Sequence, residues 1–125
     1  MSTRSLPHPQ EQRDEVAMIK MGFEGRCMQF TVGFYKHGSG FDALKKSIKA
    51  VGQYNNFEPA KVIKAFEAVE ELVYSVKFGR EYSPVMYIQA VNPDDGTDII
   101  RAFGAALPDE IGVQGDKITI RFWWD

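Results

Sequence analysis

Cysteine is nearly missing from this chain. Cys27 stands alone among 125 residues, so no intrachain disulfide can form, and that fits a reducing compartment. No apolar run approaches the roughly 20 residues needed to cross a bilayer, and residues 1–10 lack the apolar centre of a secretory signal. The expectation is a cytoplasmic protein with no membrane partner. Histidine is scarce too. Two histidines and one cysteine are too few for a structural zinc site. Neither glycine-rich phosphate motif, Gly-x-x-x-x-Gly-Lys-Ser/Thr or Gly-x-Gly-x-x-Gly, occurs, and there is no Gly-x-Ser-x-Gly elbow for a nucleophile. No catalytic residue, metal or cofactor is expected on these grounds. A large excess of positive charge is also lacking. The net charge of −2 argues against a broad nucleic-acid footprint.

What the chain does have is aromatic residues, at 13%, enough for a well-filled core with some left for a surface. The charge is unevenly spread along it. Residues 1–50 carry 8 Lys and Arg against 5 Asp and Glu, and residues 51–125 carry 7 against 12, which hints at a polarised surface. Residues 1–14 are polar, with Pro7 and Pro9, and read as a flexible tail without core residues. Residues 15–125 read as a single α+β domain.

Hydrophobic periodicity divides that domain into elements. Ala17, Ile19, Met21 and Phe23 alternate, as do Met28, Phe30, Val32 and Phe34, and the spacing predicts a β-hairpin over Val16–Tyr35 that turns at Glu24-Gly25. Phe41, Leu44, Ile48 and Val51 form a helical stripe, with Ser39 and Asp42 resembling a capping box and Gly52 closing the helix. A second helix begins near Asn56, with Pro59 in its first turn and Val62, Phe66, Val69 and Val73 along one side. Tyr74, Val76 and Phe78 alternate like a strand, and Gly79 to Ser83 reads as a connection. The apolar run Val85–Val91 reads as a buried central strand, Asp98–Leu107 as a short helix ended by Pro108, and Lys117–Trp124 as a last strand, with Ile111–Gln114 as its hairpin partner. The expected fold is α+β, a mostly antiparallel sheet of four to six strands packed by about three helices, in the order ββ-αα-(β)β-α-(β)β.

Several residues invite a functional reading. His37, in Lys36-His37-Gly38-Ser39-Gly40, sits where glycines and a helix start could hold an anion; the plainer reading is a strand-to-helix turn. Asp94, Asp95 and Asp98 could hold a hard cation, but a calcium loop needs a bidentate Glu at its end, and Asp is a standard turn residue. Cys27 with a His could suggest a thiol nucleophile, but nothing orients the pair. Lys45, Lys46 and Lys49 cover the outer side of the first long helix and offer a small basic patch. In the second helix, Lys61 and Lys64 come early and Glu67, Glu70 and Glu71 late, against the helix dipole, as though an outside partner had set the pattern. In the last strand Ile118, Ile120, Phe122 and Trp124 take one face, leaving Trp123 on the other beside Arg121. Trp and Arg are enriched at binding hot spots.

These readings lead first to a small non-enzymatic binding protein that acts through protein–protein contacts, of inhibitor, immunity or anti-defence type, for example an anti-CRISPR-like inhibitor encoded by a phage or plasmid. Second comes a nucleic-acid-binding accessory protein that uses the Lys45, Lys46 and Lys49 face. Third comes a small ligand-binding or enzyme domain centred on His37–Gly40.

Overall fold

A computed structural model describes residues 15–125; the tail expected over residues 1–14 lies outside them. In chain order the elements are α1 (Glu15–Glu24), β1 (Gln29–Tyr35), α2 (Gly40–Val51), α3 (Pro59–Val69), β2 (Val73–Glu81), β3 (Ser83–Ala90), α4 (Gly96–Phe103), β4 (Glu110–Val113) and β5 (Thr119–Trp123), with short 3-10 turns at Glu70–Leu72, Pro93–Asp95 and Gly104–Ala106. The strands form one sheet in the order β1-β2-β3-β5-β4, and every neighbouring pair is antiparallel. The fold is therefore α+β with a five-stranded antiparallel sheet, and among the described residues four α-helices accompany it.

The first expected element is corrected. The arm that alternates Ala17, Ile19, Met21 and Phe23 is the helix α1, not a strand. In a helix Val16, Ile19 and Phe23 share one side. Ile19 is fully buried, Met18 and Met21 point outward, and the Phe23 ring meets Phe30 edge to face at 5.5 Å. Gly22 permits this packing, because a Cβ there would lie 2.3 Å from the Phe30 ring. The element order becomes α-β-αα-ββ-α-ββ.

Each cross-sheet row carries one class of side chain, since successive residues of a strand point to opposite faces. Val32, Phe78, Met86 and Phe122 line up in register, as do Phe34, Val76, Ile88 and Ile120, and all are buried. Leu44 and Ile48 of α2, Val62 and Phe66 of α3, and Ile99 and Phe103 of α4 close over this face. Phe103 stacks on Phe122 at 4.5 Å.

Three smaller expectations are adjusted. The Ser39–Asp42 capping box does not form; no side-chain cap bond is made at Ser39, and its carbonyl instead accepts the Ala43 N–H. The second helix starts at Pro59, and Phe57 before it is a core residue that meets Trp124 edge to face. The connection expected over Gly79–Ser83 shrinks to Tyr82, because Glu81 and Ser83 are already register partners. No helix among the described residues is long and apolar enough to cross a membrane.

Candidate functional site

The second face of the sheet carries Thr31, Gly33 and Tyr35 of β1, Ser75, Lys77, Gly79 and Glu81 of β2, Val85, Tyr87 and Gln89 of β3, Glu110 and Gly112 of β4, and Thr119, Arg121 and Trp123 of β5. This follows from the register and from strand alternation. Nothing helical among the described residues packs on this face. It holds a concavity of about 510 Å³ lined by Thr31, Tyr35, Lys77, Tyr87, Gln89 and Thr119, among others.

Glu81 is the hub of the face. The Tyr87 hydroxyl donates to its Oε2 at 2.5 Å. Arg121 Nε and Nη2 donate to its Oε1 at 2.9 and 2.7 Å, and Arg121 Nη1 reaches Glu110 Oε1 at 2.9 Å. The Trp123 indole N–H donates to the Glu81 backbone carbonyl at 2.9 Å, and the Arg121 guanidinium lies 5.8 Å from the Trp123 ring centre. Burial pushes the Glu81 carboxyl upward, but the hydrogen bonds from Tyr87 and Arg121 and the charge of Arg121 outweigh it, and its pKa ends below the ordinary value. The Tyr87 phenol is raised, by burial first and by Glu81 second. Burial alone would lower the Arg121 pKa, but Glu81 and Glu110 raise it. Glu81, Tyr87 and Arg121 are thus each held firmly in the charge state they have at neutral pH.

Trp123 lies beside Arg121 on the face opposite Trp124, as alternation requires. Trp123 is half-buried, with its N–H already bonded. The Arg121 fork is spent on two carboxylates, with 23% of the side chain exposed. The pair is an internally tied plate, and its guanidinium does not reach outward.

The three lysines of α2 differ from one another. Lys45 bridges to α3, its Nζ 3.1 Å from both Glu67 and Glu70, while Lys46 and Lys49 are exposed. This contact answers the glutamates at the end of α3, and Lys61 at its start pairs with Glu58 at 3.3 Å. Lys45 from α2, together with Lys36, whose Nζ donates to the Glu71 carbonyl at 3.1 Å, supplies positive charge to the helix C-terminus, where the dipole favours it. The match is made inside the molecule. His37 is exposed in the β1–α2 loop, in a shallow hollow that also holds the carboxylates Glu15 and Asp42 beside Lys46; two acids there work against an anion site. Cys27 is exposed, and no cluster of three potential metal ligands occurs among the described residues. His37 and the α2 lysines lie on the helix side of the fold, away from Trp123 and Arg121.

Glu81, Tyr87 and Glu110 escaped the sequence reading. Alternation from Ser75 and Lys77 puts Glu81 on the open face, but the partners that make it a hub come from strands 6 and 40 residues away, which no local pattern records. Comparison with protein-family models, with curated proteins and with solved structures gives no match to this chain.

Proposed function

We propose that this chain is a small non-enzymatic binding protein that works through protein–protein contacts, of inhibitor, immunity or anti-defence type, with an anti-CRISPR-like inhibitor as one example. The observation that carries the reading is the sheet face on which, among the described residues, no helix packs. It is broad, of mixed polar and aromatic character, and stiffened by the Glu81 cluster, and a preorganised surface loses less freedom on binding than a loose one.

Two features favour a protein partner over the other readings. Acid–base catalysis needs a pKa drawn toward neutrality, whereas Glu81 is pushed down and Tyr87 up. Nucleic-acid affinity grows with the number of phosphates met by Lys or Arg. On this face Lys77 and Arg121 stand against Glu81, Glu110 and Asp116, and on α2 Lys45 is occupied by Glu67 and Glu70. The assignment to the inhibitor class is an analogy with other small domains that act by covering a partner's surface.

Affinity capture from an extract of the native host, at low and high salt, tests the proposal. The wild-type chain should retain a protein that Lys77→Glu and Tyr35→Ala release, both variants keeping the wild-type circular dichroism spectrum. Recovery of nucleic acid alone, eluting steeply with salt, would replace this reading with the accessory-protein one.

A further inference from the structure

The β2–β3 turn combines two unfavourable features: positive φ at a non-glycine residue, which also occurs at Arg26, Asn55, Leu107 and Lys117, and, beside it, buried polar atoms without partners. Its central residue, Tyr82, has φ of 68°, in the left-handed region where a bulky side chain is an outlier. It reverses the chain alone, between register partners Glu81 and Ser83. The Ser83 Oγ and the Arg80 Nε are buried with no hydrogen-bond partner among the described residues, and no other buried side-chain nitrogen or oxygen there shares that condition. Strained backbone and orphaned polar atoms thus fall on one stretch of four residues.

Such strain persists only where the surroundings over-determine it, and here they do. The Glu81 carbonyl is held by Trp123 and the Glu81 carboxylate by Tyr87 and Arg121, while the Tyr82 N–H donates to the Met28 carbonyl at 2.7 Å. The side chain so presented makes no hydrogen bond among the described residues. Tyr82 is 62% exposed, and Met28, tied to it through the backbone, is 43% exposed. On the β1 side of the turn Arg26 is exposed, and the Arg80 guanidinium lies over the Phe23 ring at 5.2 Å. Glu81 is taken by Arg121.

We infer that Tyr82 is a protein-contact residue, held out on a strained turn by the Trp123–Arg121–Glu81 cluster, and that with Met28 it enters an apolar pocket of a partner protein bordered by carboxylates that meet Arg26 and Arg80. Trp123 and Arg121 are then positioning residues for the turn. Tyrosine suits such a role because it brings a large, stiff contact area with few rotatable bonds. The inference rests on the protein-binding reading above and adds where the partner docks and what its surface offers.

The distinguishing test is Tyr82→Gly in the full chain. Glycine adopts positive φ without a steric penalty, so the urea midpoint should stay equal or rise while capture of the partner weakens at least tenfold. A photoreactive benzoylphenylalanine placed at position 82 should cross-link to a partner segment of apolar residues flanked by Asp or Glu. A lowered midpoint for Tyr82→Gly would make the tyrosine a fold residue and overturn the inference, as would undiminished capture or cross-links into a Lys- and Arg-rich segment. If wild type captures no protein at all, the protein-binding reading falls and takes this inference with it; if wild type captures and Tyr82→Gly captures equally, only the inference falls.

Discussion

Trp123 and Trp124 are neighbours in the chain and sit on opposite faces of one sheet, and the two faces hold them by different means. Trp124 is fully buried, packed edge to face on Phe57 at 5.1 Å, with its indole N–H on the Ala106 carbonyl at 2.8 Å. Trp123 is half-covered, lies beside a guanidinium, and bonds the Glu81 carbonyl. Each indole N–H finds a backbone carbonyl, as buried or half-buried Trp requires. The difference is in what surrounds the ring. Helices and apolar side chains enclose Trp124, so its contribution comes from area removed from water, which depends little on pH or salt. Carboxylates, a phenol and an arginine frame Trp123, so the cohesion of that face is electrostatic and depends on both. One face holds the molecule together, and the other keeps a particular shape in contact with solvent.

The largest break in this comparison should come from Trp124→Ala, which empties a closed core site and should cost about 3–5 kcal/mol, read by urea denaturation. Trp123→Ala should cost less, about 1–2 kcal/mol, since it removes one hydrogen bond and a ring contact at a half-open site. Equal losses for the two would mean that the open face is as closed as the other.

The electrostatic character of the open face can be sharpened by pH. The folded-state pKa of Glu81 is lowered from 4.5, so its contribution is full above about that pH and is lost as pH falls through the lower folded value. Tyr87 is raised from 10.0, so its contribution is present below that pH and is lost as pH rises through the folded value. Urea midpoints across both limbs should show wild type losing stability at each end and Glu81→Gln lacking part of the acid limb. Parallel curves for the two proteins would remove Glu81 from its place as hub.

The smallest effects separate the lysines of α2. Lys45→Ala should cost about 0.5–1 kcal/mol, because its side chain, 21% exposed, serves two glutamates at once and such surface pairs are individually weak. Lys49→Ala should change stability by no more than about 0.5 kcal/mol, as exposed substitutions away from such contacts do. Raising salt should narrow the gap between the two.

Much of the architecture is written in local pattern. The stripe of Phe41, Leu44 and Ile48 specifies α2 and its inner face, because a helix returns to the same side every three or four residues. The alternation of Ile118, Ile120, Phe122 and Trp124 settles which Trp meets the core before any strand neighbour is known, because the period of a strand is two whatever it pairs with. Pro108, Gly52 and the turn cluster from Asn92 mark ends for equally local reasons. The first element shows where this stops. Val16, Ile19 and Phe23 fit a helix while Ile19, Met21 and Phe23 fit a strand, and ten residues do not separate the two periods; the packing of Phe23 and Gly22 against Phe30 decides for the helix. The same holds for the charges. Local sequence places Lys45 on a helix surface and Arg121 on a strand face, but whether either is free depends on Glu67, Glu70, Glu81 and Glu110, which only strand order and helix packing bring near. Periodicity says which way a side chain points; what it meets there is a contact between distant parts of the chain, and the tertiary fold alone makes it.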